Sequence, residues 1–139
     1  MTPQEIFDTV ARHLFTQGER AGIVLDDDTD DGVRKGFFSC RYRAPGGAKC
    51  AVGALIPDEA YSPSMEERNF SDVYDSFAPV LPLWMGDNLR LLASLQSVHD
   101  DHHYWGSTGS MREALANVAD FYHLNASVLD NLVLPSDER

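Results

Sequence analysis

Two apolar runs, each with one cysteine, flank a Pro-Gly-Gly turn at residues 45–47, a pattern typical of a β-hairpin. A three-residue loop at 44–46 sorts apolar from polar side chains between the two faces, which predicts a hairpin over residues 37–56. In that register Cys40 lies opposite Cys50 on the buried face, close enough for a disulfide. Neither cysteine belongs to a CxxC motif, so we expect two buried thiols. A disulfide, redox or metal role is the alternative.

The opposite face of the predicted hairpin carries a basic cluster, Arg41, Arg43 and Lys49. Arginines in this arrangement can hold an anionic ligand through bidentate guanidinium contacts. The same side chains can instead pair with carboxylates of the chain itself, such as Asp58 or Glu59. Both interpretations stay open, and Arg41 and Arg43 are candidate binding residues.

Helical signals lie on both sides of the hairpin. Thr2 and Glu5 fit a capping box that opens a helix, and Gly18 is a natural stop for it. Ser110 and Glu113 fit a second box. The predicted helices cover residues 3–17, about 71–77, 87 to between 99 and 103, and 110–123, followed by a short turn at 126–132.

These elements predict an α+β fold. We expect one small domain over residues 1–139, predominantly helical, with about four helices packed on the hairpin. A chain of this length buries about two-thirds of the surface that its unfolded form exposes, enough for a core of its own. Residues 135–139 should fray.

The charge balance limits the kinds of partner. The chain has 22 acidic and 11 basic side chains, a formal net charge of −11. This excess opposes direct nucleic acid binding, because phosphate contacts need a basic surface, and it favours basic proteins or metal cations. No apolar run approaches the roughly 20 residues of a membrane span, and no secretory signal opens the chain. We therefore expect a cytoplasmic protein with no membrane contact.

An acidic segment follows the apolar residues 23–25, which predict the start of a short strand. Repulsion between like charges favours an extended, solvated loop over residues 26–32. A calcium loop of the EF-hand type is disfavoured, because Phe38 stands where the bidentate Glu should be. The candidate binding residues of this loop are Asp26, Asp27, Asp28, Asp30 and Asp31.

The segment His99-Asp100-Asp101-His102-His103 is the densest group of metal-ligand side chains. If the preceding helix continues through it, His99 and His103 share one face, as helical metal-binding histidines do, and Asp100 can add an oxygen. The alternative is a helix end whose histidines meet the negative end of the helix dipole. We expect no obligatory cofactor, with zinc or another divalent metal as the possible ligand.

Aromatic side chains follow this segment. Trp105, with Tyr104 and Trp84, can form a protein-binding surface, since aromatics are enriched at binding hot spots. They can equally belong to the core. Trp105 is therefore a candidate binding residue with a structural alternative.

A resemblance covers most of the chain outside the Asp-rich segment. The residues that carry it are Cys40-Arg41-Tyr42-Arg43, Gly47, residues 49–59, Tyr61, Pro63 and residues 95–100, with the opening helix. This pattern is similar to that of small uncharacterised proteins of bacteria, phages and prophages. The resemblance implies a mobile-element setting and brings no activity or catalytic residue with it.

These observations rank the function classes. The sequence lacks a G-x-S-x-G elbow and a phosphate-binding loop, so we expect a protein that is not an enzyme. The leading hypothesis is an acidic inhibitor that blocks a basic, nucleic-acid-handling host protein. The alternatives are a metal-binding protein or metal-dependent hydrolase that uses His99, Asp100 and His103, and a binder of a small anion through Arg41 and Arg43.

Overall fold

A computed structural model describes residues 1–29 and 32–137; for residues 25–29 and 32–37 it describes the backbone alone. The strands and α-helices in this part of the chain are α1 (Pro3–Gln17), β1 (Gly22–Thr29), β2 (Gly32–Cys40), α2 (Phe70–Phe77), α3 (Leu83–Gly86), α4 (Leu89–Asp100) and α5 (Thr108–Phe121). Short 3-10 helices lie at Pro63–Met65, His102–Gly106, Ser127–Asn131 and Pro135–Asp137. The predicted α+β class, helices with one antiparallel hairpin, is confirmed.

The capping signals of α1 work as predicted. The Thr2 hydroxyl accepts from the Glu5 amide at 3.1 Å, and the Glu5 carboxylate accepts from the Thr2 amide at 3.0 Å. Gly18 ends the helix in the left-handed region (φ 77°), where glycine carries no Cβ penalty. The apolar stripe of α1 is fully buried and packs against α4.

Local signals also located the two later helices. The long helix α4 ends at Asp100, within the predicted interval. The helix α5 starts earlier than predicted, because its N-cap is Ser107, whose hydroxyl accepts from the Ser110 amide at 3.0 Å. The predicted capping box at Ser110 was therefore wrong by one turn. The helices α1, α4 and α5 enclose the core.

The position of the predicted hairpin was wrong. The strand β1 pairs with β2 in antiparallel register, with Ile23 opposite Ser39 and Val24 opposite Phe38. Residues 37–40, at the start of the predicted hairpin, thus pair with residues 22–25, which precede them in the chain, and not with residues after the Pro-Gly-Gly turn. The β-branched pair Ile23 and Val24 favours a strand more than the Ala- and Gly-rich residues 51–54 do.

The stretch after β2 forms one isolated antiparallel bridge, which does not belong to the predicted ladder. Arg43 lies opposite Lys49, two residues from the predicted register. Beyond Cys50 the backbone coils, with the Ala54 amide bonded to the Cys50 carbonyl at 3.0 Å. A Cβ at Gly53 would clash with the Tyr42 carbonyl, so this close approach requires glycine.

Two predicted irregular segments also differ. Residues 26–29 lie in β1, so the loop predicted for 26–32 was wrong there, while Asp30 and Asp31 lie outside the described residues. At the C-terminus, the 3-10 helix Pro135–Asp137 replaces the predicted fraying of these three residues, while residues 138–139 lie outside the described residues. The Asp137 carboxylate accepts from the Thr108 amide at 2.6 Å. In the described part of the chain, no helix has the length and apolar character to cross a membrane.

Candidate functional site

The last turn of α4 buries a histidine. His99 is fully buried, because it continues the apolar face of Leu92 and Leu95 toward the start of the hairpin. Its Nε2 atom lies 2.8 Å from the Ala21 amide nitrogen, and its Nδ1 atom lies 2.8 Å from an oxygen of Asp100. The ring thus links the end of α4 to the residue before β1.

The partners of His99 fix its tautomer. A backbone N–H can only donate, so Nε2 must accept from Ala21 and carry no proton. Nδ1 then carries the proton and donates to Asp100. A neutral imidazole has one donor and one acceptor, and here both are used. The ring therefore holds the structure together with no free nitrogen left for proton transfer.

Asp100 collects hydrogen bonds from three side chains. Its Oδ1 atom accepts from His99 and from Gln96 Nε2, each at 2.8 Å, and the Cys40 thiol also hydrogen-bonds to the carboxyl group. Burial raises the pKa of Asp100, but these hydrogen bonds outweigh burial and lower the pKa below its ordinary value. We call Cys40, Gln96, His99 and Asp100 the His99 cluster.

The two cysteines lie in different surroundings, and both are free thiols. Cys40 ends β2 opposite Gly22, where burial and the charge of Asp100 raise the pKa of its thiol to about 11. Cys50 is a core residue, as predicted, and burial raises the pKa of its thiol to about 12. A thiol with such a pKa stays protonated at neutral pH and is a poor nucleophile.

Trp105 supports the same cluster from outside. Its indole Nε1 donates to the His99 carbonyl at 2.8 Å, and its ring meets the His99 ring edge-on at a centroid distance of 5.9 Å. The side chain is half-buried and packs against the core. These contacts correspond to the structural alternative for Trp105.

The predicted metal ligands fall into two groups. Because α4 ends at Asp100, His103 lies in the following 3-10 helix and joins Asp101 and His102, while His99 and Asp100 join Cys40. Within each group the possible ligand atoms lie within 4.8 Å of one another. The arrangement brings His99 and Asp100 together but does not add His103 to them.

The tautomer of His99 bears on metal binding. A metal ion on Nδ1 would displace that proton, and a neutral ring would then carry its proton on Nε2. An Nε2–H group would face the Ala21 amide, so two donors would oppose each other in a buried place. His102 and His103 are exposed instead, with ring centroids 4.0 Å apart and a 2.9 Å bond from His103 to Asp101.

The basic cluster pairs with carboxylates of the chain. Arg43 Nη2 lies 2.8 Å from Asp58, which Lys49 also approaches at 3.8 Å. Arg41 Nη2 lies 3.3 Å from Glu67. The Nε atoms of Arg41 and Arg43 are buried without a hydrogen-bond partner among the described residues. Intramolecular pairing, one of the two alternatives from the sequence, is therefore present in each case.

Glu66 organises the backbone beside these arginines. Its carboxylate accepts from the Tyr42 and Arg43 amides at 2.8 and 3.1 Å and from the Tyr61 hydroxyl at 2.7 Å. Burial and the hydrogen bond to Glu66 raise the pKa of Tyr61 to about 12. No local sequence signal marks Glu66, or Gln96 of the His99 cluster, because they bond to residues that are distant along the chain.

A cavity of about 420 Å³ separates residues 66–71 from α4. Cys40 and Asp100 of the His99 cluster border it, as do Arg41 and Arg68. Apolar walls come from Tyr42, Phe70, Leu89 and Ala93. The volume is in the range of small-molecule sites.

The described acidic and basic side chains differ in how exposed they are. Among the described side chains, Arg12 and Arg90 are the exposed basic ones, and the other described arginines and Lys49 are half-buried. Four of the half-buried arginines donate to backbone carbonyls: Arg20, Arg43, Arg68 and Arg112. The exposed carboxylates are those of Glu5, Glu19, Asp58, Glu59, Glu67, Asp72, Asp75, Asp87, Asp100, Glu113, Asp120, Asp130 and Asp137. Among the described side chains, the exposed surface is thus more acidic than the composition alone implies.

The structure does not describe the side chains of the predicted acidic binding residues. Asp26, Asp27 and Asp28 lie in β1, with backbone positions alone, and Asp30 and Asp31 lie outside the described residues. Their part in any site stays a prediction.

Comparisons of this chain with protein-family models, with curated proteins and with solved structures found no match. Function is therefore inferred from the geometry of the His99 cluster, of the cavity and of the acidic surface.

Proposed function

We propose that this chain is a non-enzymatic binding protein whose exposed carboxylates engage a basic protein partner. The observation that carries the proposal is the separation of charge by exposure: most described carboxylates are exposed, while most described basic side chains are half-buried. A field of one sign steers an oppositely charged partner and favours association at low salt.

The residues most suited to catalysis support a binding role rather than a reaction. Both nitrogens of His99 are engaged, and the pKa values of the Cys40 and Cys50 thiols are raised. A nucleophile or general base needs a free lone pair in a group that can ionise. These side chains instead join α4 to the hairpin and the core.

The class of partner follows from charge. A basic protein that handles nucleic acid exposes a groove for phosphates, and an acidic protein can occupy that groove. The resemblance to proteins of phages and prophages favours an inhibitor of such a host protein.

The proposal is tested by affinity capture from a nuclease-treated bacterial lysate, washed at low and at high salt. We expect a stoichiometric basic partner that high salt removes, with its identity read by mass spectrometry. Nuclease treatment excludes capture through nucleic acid. A partner that is acidic or that resists high salt would contradict the electrostatic proposal, as would the absence of a partner at low salt.

A second candidate function is binding of a small organic anion in the cavity beside α4. Arg41 and Arg68 border this cavity next to the apolar walls of Phe70 and Leu89, which suits a ligand with a charged end and an apolar body.

Native mass spectrometry of the purified protein should then show a bound anion. The variant Ala93→Trp, which fills the cavity from an exposed position, should lose it, while Thr16→Trp on α1 should keep it. Protein without added mass would contradict this candidate.

A further inference from the structure

The end of α5 exposes a large aromatic side chain. Phe121 is 76% exposed, although a phenylalanine in a domain of this kind is normally buried. Its ring meets the Tyr122 ring edge-on at a centroid distance of 5.0 Å. The two rings border a groove of about 310 Å³ between α4 and α5, whose floor includes Val98 and Val118.

Tyr122 joins this groove to a second one. Tyr122 also lines a cavity of about 490 Å³ that is bordered by residues 86–91 at the start of α4. The Tyr122 hydroxyl is 2.9 Å from the Ser94 hydroxyl, which holds the ring between the two spaces. The two cavities share Tyr122, and we call them together the Tyr122 groove.

The charges beside the Tyr122 groove are mostly negative. Glu113 and Asp120 are exposed, lie seven residues apart on α5 and directly precede Ala114 and Phe121, which line the groove. Asp87 is exposed at the far end. Arg112 of α5 is occupied by the carbonyls of Leu129 and Leu132. Arg90 is the exposed basic side chain among the described residues that line the groove.

We propose that the Tyr122 groove is the docking site for a basic amphipathic helix of the partner, an inference that rests on the proposed function. The apolar face of such a helix covers Phe121 and the groove floor, and its lysines or arginines meet Glu113, Asp120 and Asp87. A helix laid in an apolar groove between helices is a recurrent mode of recognition. Charge complementarity selects a basic helix over an acidic one.

The test uses a synthetic peptide of leucine and lysine with the leucines at helical spacing, and a scrambled peptide of the same composition. Fluorescence anisotropy measures the affinity of each for the whole protein. We expect the amphipathic peptide to bind more tightly, and Phe121→Ala to weaken it by roughly tenfold, as for a hot-spot aromatic. Because Phe121 is exposed, this variant should keep the melting temperature of the wild type.

A matched pair of charge variants locates the site. Glu113→Gln with Asp120→Asn should weaken binding of the amphipathic peptide several-fold, whereas Asp72→Asn with Asp75→Asn on α2 removes the same charge elsewhere and should have little effect. Equal losses from both pairs, or equal binding of the two peptides, would overturn the Tyr122 groove and leave the proposed function in place. If neither peptide binds while capture still yields a salt-sensitive basic partner, the groove is likewise overturned alone.

Discussion

His99 shows at the scale of one residue how a chemically active side chain can be used for structure. Both ring nitrogens bond to fixed partners, Ala21 through its amide and Asp100 through its carboxylate, and the side chain has no exposed surface. Removing the ring leaves a buried amide without an acceptor and a cavity beside Trp105, each of which destabilises the folded state.

We therefore predict that His99→Ala lowers the free energy of unfolding by about 2–5 kcal/mol. Urea denaturation followed by circular dichroism measures this change. His99→Gln retains a side chain that can accept from Ala21 and should lose less, while the exposed His102→Ala should change stability by less than about 0.5 kcal/mol. A loss for His99→Ala as small as that for His102→Ala would show that the ring is not a structural link.

The cysteines carry a second prediction at this scale. Burial raises the pKa of Cys40 to about 11 and that of Cys50 to about 12, so almost no thiolate exists at mildly alkaline pH. Cys40 in the folded protein should react with a disulfide reagent roughly a hundredfold more slowly than an ordinary thiol, because the rate follows the thiolate fraction. Denaturation should expose both thiols.

Absorbance of the released thiol measures these rates, and Cys50→Ala leaves Cys40 as the reacting group. Fast reaction of either thiol in the folded protein would contradict the pKa assignment. It would also restore a nucleophile as an alternative to the binding role.

At the scale of elements, the predictable parts of the fold are those with local signals. The helix α1 is specified by a capping box, an apolar stripe and a terminal glycine, all within its own residues. The hairpin depends on a choice between two partners for residues 37–40, and the structure pairs them with residues 22–25. Sequence periodicity gives the preference for a strand but not its partner.

The candidate site follows the same division. The sequence pattern indicates His99 and Asp100 as candidate ligands and groups them with His103. That grouping requires a helix that continues beyond Asp100, whereas α4 ends there. Cys40 and Gln96 complete the cluster only after β2 and α4 are brought together. The exposure of Phe121 likewise depends on how α5 packs.

The cap of α1 supplies a prediction for this scale. Thr2→Ala removes the acceptor for the Glu5 amide and should lower the free energy of unfolding by about 1 kcal/mol, the ordinary value of such a cap. Thr16→Ala near the other end of α1 is a control, since Thr16 is exposed. Thermal denaturation compares the two variants. Equal melting temperatures would mean that tertiary packing alone holds the start of α1.

At the scale of the whole molecule, charge and fold act together. The fold uses most described basic side chains internally, in pairs with carboxylates or in bonds to carbonyls, and leaves most described acidic side chains exposed. An excess of one sign on the surface costs some stability through self-repulsion, so a partner of opposite charge is its natural complement.

The most direct test of this account is the dissociation constant of the captured basic partner measured as a function of salt. Salt screens contacts between exposed charges over a distance of about 10 Å at 0.1 M and about 3 Å at 1 M. We predict that binding weakens steadily with salt, by roughly tenfold or more across that range. A dissociation constant that does not change with salt would contradict the claim that the exposed carboxylates carry the function.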